Sequence, residues 1–255
     1  MMFDLIIRLL SLFLLGMSPF LQAHPACSSS LNFLNRKALR EECQKRAQMP
    51  LLLLQNVFIL LDPGHGGHDT GAQSISKPRY QEKSLNLVTA KFVKEYLEQL
   101  GYGVLMTREE DEFISLDRRV QIANDYHATL FVSIHYNSAP SAQAQGVEVF
   151  FYPSKEKRRT VKSKRLAQAV LKNVLLETKA KSRGVKPGNF LVIRETTMPA
   201  ILVEGGFVSN EEELQDLKDP TYLKRLAWGI VRGIEEYIYM ATLKPRLSGR
   251  RTPRI

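Results

Sequence analysis

Cysteine is nearly missing from this chain: 255 residues contain only Cys27 and Cys43, and both lie upstream of the polar motifs described below. That scarcity excludes a thiolate-ligated metal site and a cysteine nucleophile in the body of the protein. Export to an oxidising compartment would permit a Cys27 to Cys43 disulfide. Repeats and low-complexity tracts are absent as well, so the chain reads as one ordinary globular domain with attachments. The aromatic and basic motifs of the usual nucleic-acid modules are also missing. The net charge of +10 therefore points to an anionic partner other than nucleic acid, such as acidic lipid or an acidic wall polymer.

The chain begins with "MMFDLIIRLLSLFLLGMSPFLQA", an apolar stretch ending in the small residue Ala23. This is the pattern of a secretory signal peptide over 1–23, despite Asp4 in its leading part. Retention as a membrane anchor, or lipidation at Cys27, is the minor alternative. Residues 24–55 read as a linker with one short helix, 56–242 as the main folded domain, and the basic, proline-containing 243–255 as a flexible tail.

From Val57 onward strand-like and helix-like segments alternate. "VFILLD", "YGVLMT", "TLFVSI", "VEVFFY", "NFLVI" and "AILVE" read as strands. A helix capped by Ser84 carries Leu85, Val88, Phe92, Tyr96 and Leu100 on one face. A second, within "SLDRRVQIANDYH", turns Leu116, Val120 and Ile122 or Ala123 inward. "VKSKRLAQAVLKNVLLET" forms a third, and Asn210 with Glu213 forms a capping box ahead of the apolar closing helix. The fold class expected is α/β: a single domain with a roughly six-stranded mixed sheet flanked by helices on both faces.

Ligands of open α/β sheets bind beyond the carboxyl ends of strands, and the unusual residues collect there. Two of only five histidines fall in "LDPGHGGHDTGA" (61–72). His65 follows the first strand, His135 follows "TLFVSI", and Glu204 ends "AILV". Two imidazoles and a carboxylate without a thiolate match a catalytic zinc site with one position open for water. Glu82, at the end of the loop returning from His65, supplies a second acid. One of Glu82 and Glu204 is then the third ligand to a single Zn2+ and the other the base, and chain order alone leaves both assignments open. Asp62 is expected to bond backbone groups of its Pro-Gly turn and to orient His65. Asn137 and Arg194 are candidate substrate contacts, each weighed evenly against a turn-shaping or surface role. His68 and His127 read as incidental, and Glu148 as a solvated strand residue.

"LDPGHGGHDTGA", "QEKSLNL", "FVSIHYNSAP", "GVEVFFY" and "PAILVEGGFVSN", in this order between about Val57 and Tyr239, resemble the zinc-dependent N-acetylmuramoyl-L-alanine amidases, often called amidase type 3. The resemblance implies His65, Glu82 and His135 as zinc ligands and Glu204 as the catalytic glutamate. It also implies peptidoglycan, or its muropeptide precursors, as substrate, in wall remodelling and cell separation. Stem-peptide carboxylates then account for the basic charge, and a periplasmic or cell-envelope location fits the leading segment. Some relatives carry a targeting domain and an inserted helix that plugs the site. The segment between "VEVFFY" and Glu204 has room for one helix and loops, so no inhibitory helix, no obligatory activator and a monomer are expected. The rivals are a zinc carboxypeptidase acting on the stem peptide and a wall-binding protein on an inactive amidase fold.

Overall fold

The computed structural model describes residues 57–247; the leading segment, the whole linker with both cysteines, and residues 248–255 lie outside them. Strands and helices follow in the order β1 (Phe58–Pro63), α1 (Glu82–Gln99), β2 (Gly103–Met106), α2 (Leu116–Asp125), β3 (Leu130–Asn137), β4 (Val147–Phe151), α3 (Lys157–Thr178), β5 (Ser182–Pro187), α4 (Leu191–Arg194), β6 (Ala200–Phe207), α5 (Glu211–Lys218) and α6 (Pro220–Leu247). The six strands form one sheet in the order β2-β1-β3-β6-β4-β5. Only the β4–β6 pair is antiparallel. The expected mixed, six-stranded α/β sheet is therefore present.

The central strands are apolar on both faces because both faces are covered. All eight residues of β6 are buried. One side is packed by α1, α3 and α6, with α3 lying along α6 and across β4. Gly229 and Gly233 permit this approach: a Cβ at either would come within 2.6 or 2.3 Å of the Cα of Val174 or Val170. Trp228 of α6 is fully buried and meets the Tyr96 ring edge-on at 5.5 Å. On the other side the short α2 and α4 bring Ala123, Val192 and Ile193 against Leu60, Phe131, Ala200 and Leu202.

Several local expectations change. "NFLVI" is not a strand: Leu191–Arg194 is a single helical turn, and the sixth strand is instead "SRGVKP". A four-residue apolar run has no periodicity by which to separate the two states. Helix α1 starts at Glu82 with Gln81 as its N-cap, ahead of Ser84, and the face it packs inward holds Asn86 and Thr89 while Val88 is exposed. In α2, Ser115 caps the helix by accepting from the Arg118 N–H, Leu116 is exposed, and Arg119 takes the inward position. Asn210 does cap α5, but Glu213 turns away to accept from the Gly146 and Phe207 N–H groups, so the box is half formed. Helix α6 continues through Leu247, into the segment expected to be a flexible tail.

Candidate active site and metal centre

Three adjacent parallel strands converge on one rim. His65 lies two residues beyond β1, His135 is near the end of β3, and Glu204 on β6 is its register partner across the ladder. Glu82, the first residue of α1, closes the group from below. Donor atoms of His65, Glu82 and His135 all fall within 4.8 Å of one another. Glu82 Oε1 is 2.8 Å from His135 Nδ1 and Glu82 Oε2 is 3.2 Å from His65 Nε2. The two imidazole rings stand edge to face, 5.0 Å apart.

Each member is held by its neighbours. Glu82 accepts hydrogen bonds from the Ala72 and Tyr136 N–H groups and from the Asn86 amide, which fixes both carboxylate oxygens. His65 Nδ1 lies 2.8 Å from Asp69 Oδ2, leaving Nε2 turned to the triad. Asp69, four residues away in the same turn, thus orients the imidazole. Asp62 does not, contrary to expectation: its carboxylate is 1 % exposed and accepts from Arg119, Thr107 and Ser133 side chains.

His65 itself has φ +59°, a left-handed conformation costly for a residue other than glycine. Two buried guanidiniums compensate by gripping the surrounding carbonyls. Arg119 donates to the carbonyls of Pro63 (2.8 Å) and His65 (2.7 Å). Arg108 donates to those of Pro63 (3.0 Å) and Gly64 (2.8 Å), and to Lys83 at the start of α1. The loop leaves no room for side chains beside the triad. A Cβ at Gly64 would lie 2.0 Å from the His135 ring, and one at Gly71, whose φ is +63°, would lie 2.5 Å from Glu82 Oε2.

The electrostatics differ sharply between the two glutamates. Burial works against the Glu82 carboxylate, but hydrogen bonds and attraction from His135 and His65 outweigh it and hold the acid well below its usual range. Burial lowers His65, yet its contacts with Glu82 and Asp69 more than reverse this and raise it. Glu204 moves the other way: burial, then repulsion from Glu82 and Glu148, pushes it well above the ordinary 4.5. It is 9 % exposed, and its Oε2 has no hydrogen-bond partner among the described residues.

A carboxylate held well below its usual pKa, with His65 Nε2 and His135 Nδ1 turned toward its two oxygens, fits one zinc ion. A carboxyl group of raised pKa next to it, with an unsatisfied oxygen, is suited to proton transfer.

The remaining candidates are arranged unevenly. Asn137 ends β3 and donates 2.9 Å to Glu148, which is 3 % exposed and thus not the solvated residue expected. Arg194 ends α4 and bonds to Glu195 and Asn189, neither of them part of the triad. His68 is exposed and stacks on Phe113 at 4.2 Å. Asp69, Arg108 and Arg119 escaped sequence reasoning. The first had a signal, an acid four residues after His65 in a glycine-rich turn; the arginines had none, because Arg108 falls in the loop after β2 and Arg119 on a charged helix, and neither setting hints which cation is buried.

Comparison with known proteins agrees with this site. Residues 59–236 match the family model described as N-acetylmuramoyl-L-alanine amidase. The probable cell wall amidase LytH of Staphylococcus epidermidis is 37 % identical over 184 residues, 72 % of this chain and 59 % of its own length. The N-acetylmuramoyl-L-alanine amidase CwlM of Bacillus licheniformis is 38 % identical over 180 residues, 70 % of this chain and 67 % of its own. The chain therefore spans less than two thirds of the length of LytH. Among solved structures, an N-acetylmuramoyl-L-alanine amidase from Clostridium difficile 630 superimposes with a TM-score of 0.68 at 38 % identity, covering 72 % of this chain and 97 % of that one.

Proposed function

The chain belongs to the N-acetylmuramoyl-L-alanine amidase family, and from that premise we propose that it hydrolyses the amide joining the lactyl group of N-acetylmuramic acid to the L-alanine of a peptidoglycan stem. His65, Glu82 and His135 would hold one Zn2+. When bound there, zinc lowers the pKa of water from about 15.7 toward 7 and polarises the scissile carbonyl. Glu204 takes a proton from the attacking water and delivers it to the departing alanine nitrogen, so one water yields the lactyl acid and a free peptide amine. Asp69 keeps the His65 imidazole oriented, and the Arg108 and Arg119 grip keeps the loop in the one conformation that faces Glu82 and His135.

The observation that carries this reading is the placement of Glu204: opposite His135 in the ladder, with an unsatisfied buried oxygen beside the donor triad. Substrate contacts by Asn137 and Arg194 belong to it as well. Asn137 is supported by its place two residues after His135, and Arg194 by its charge alone.

No helix among the described residues is long and apolar enough to cross a membrane. Export directed by residues 1–23 to the periplasm or cell envelope is part of the reading, supported by their apolar run and by the wall substrate. Action without an inhibitory helix or obligatory activator, as a monomer, is part of the same reading; support for the first comes from α3, the long helix between β4 and Glu204, which lies along α6 and β4. The test is release of soluble fragments from labelled peptidoglycan by the purified protein. Activity should vanish on chelation and return with one equivalent of zinc. Unchanged release after chelation would overturn the metal-dependent mechanism.

A further inference from the structure

Beside Glu204 stands a group of charges that the hydrolytic step leaves unused. Glu148 on β4 is the register partner of Glu204 in the antiparallel ladder, and its carboxylate is buried. It accepts from the Asn137 amide at 2.9 Å, from Arg183 Nε at 3.2 Å, and from the Lys186 ammonium in a close contact. Arg183 and Lys186 both come from β5, the edge strand. Between them Gly184 faces Glu148 in register, and a Cβ placed there would meet nothing within 4 Å. Of the two residues between the cations, Gly184 presents no side chain, and open space lies where its Cβ would be.

Charge bookkeeping points outward. One buried carboxylate needs one cation to compensate it, whereas Glu148 has two cations and an amide. The side chains of Arg183 and Lys186 remain 35 % and 40 % exposed. The other acid close to Arg183 is Glu213, whose two oxygens are taken by the Gly146 and Phe207 N–H groups. Arg183 Cζ sits over the Phe207 ring, 4.8 Å from its centroid, and Nη1 makes a long, 3.4 Å hydrogen bond to the Gln145 carbonyl; together with the Nε contact to Glu148 these hold the guanidinium in place. A rigid guanidinium and an ammonium flanking a gap are suited to a planar, two-oxygen anion.

We propose that Arg183 and Lys186, anchored by Glu148, form a subsite for a carboxylate of the leaving stem peptide, so that the enzyme prefers stems whose carboxylate nearest the scissile amide is free over stems in which it is amidated. This rests on the amidase reading. Arg183 and Lys186 would touch substrate; Glu148 acts through them as a positioning residue.

The test measures kcat/KM on two muropeptides that differ only in whether that carboxylate is free or amidated, for the zinc-loaded wild type, Lys186→Gln, Arg183→Gln and Lys186→Arg. A charge-assisted hydrogen bond to a carboxylate predicts a wild-type preference of about tenfold to a hundredfold for the free acid, expressed mainly in KM. Lys186→Gln and Arg183→Gln should each shrink that ratio toward one, and Lys186→Arg should retain it. Lys186 is half exposed, so its variant stays folded even if Arg183→Gln does not. Equal rates on both substrates by the wild type would overturn the subsite while leaving the amidase reading intact. If the cations served the newly formed lactyl carboxylate instead, amidation would change nothing and inhibition by free muramic product would weaken in the variants, which also overturns the proposal. Cleavage of neither substrate would remove the amidase reading and the subsite together.

Discussion

His135 on β3 and Glu204 on β6 face each other across a parallel ladder, so the same register that pairs two central strands sets a metal-binding imidazole beside the proposed proton carrier. One residue of slippage would send either side chain to the opposite face of the sheet. Burial on both faces of both strands prevents that slip, and the chemistry inherits its precision from the core.

Removing the Asp69 carboxylate should weaken zinc binding without unfolding the protein. Asp69→Asn leaves the turn its backbone bonds but replaces the charged partner of His65 Nδ1. Competition with a chromophoric chelator should show a loss of about tenfold to a hundredfold in affinity, the usual size of such an effect. Unaltered affinity would mean that the loop alone orients His65.

Arg119 and Asp62 form an ion pair closed to water, with N to O at 2.7 Å. Arg119→Met strands the Asp62 charge, and denaturant unfolding should show a loss of about 3–5 kcal/mol. The pH dependence follows from the sign. Burial opposes ionisation of Asp62, but Arg119 and the Thr107 and Ser133 hydroxyls together hold its folded pKa below 3.8. The unfolded state therefore binds the proton more readily. The stabilisation is present above about pH 4 and fades as pH falls through the depressed folded value. The variant should lack this acid-side decline, and an identical decline in both proteins would contradict the assignment.

Glu204 carries the opposite sign. Its folded pKa is raised, so whatever stability its neutral form allows is complete below the unfolded 4.5 and is lost as pH rises through the folded value. Metal-free Glu204→Gln, which cannot ionise, should melt at a higher temperature than wild type at pH 8, and the two should converge near pH 4. A difference independent of pH would show that Glu204 is not buried as a reluctant anion.

Gly71→Ala places a methyl group against Glu82 and His65 at a left-handed position. Strain of about 1–3 kcal/mol and displacement of both ligands should follow. Calorimetric titration with zinc should give no measurable binding in the variant; wild-type affinity would show that the loop can move aside.

The sheet, five of its six strands and the four central site residues were legible in the sequence, for a common reason. A long apolar run such as "VFILL" or "AILV" marks a strand buried on both faces, and a polar residue closing such a run has few reasons to be there except chemistry. What stayed hidden depends on tertiary context. Strand β5, "SRGVKP", is a half-exposed edge with glycine and cations in place of apolar alternation, while "NFLVI" mimics a strand yet closes into one turn. Arg119 reads as the polar face of a helix until the end of β1 and the turn after it supply three oxygen acceptors, from Asp62, Pro63 and His65. Glu148 reads as a solvated acid until the hidden β5 lays its cations across it, so the error in the strand concealed the charge cluster as well.

Product analysis by mass spectrometry tests the account most directly: a purified muropeptide is incubated with zinc-loaded wild type and, in parallel, with zinc-loaded Glu204→Gln. The account predicts intact stem peptide with a free L-alanine amine and a sugar that retains its lactyl acid, formed at least about a hundredfold more slowly by the variant, the scale of a positioned acid-base group. Release of D-alanine alone, or equal rates from both proteins, would contradict it.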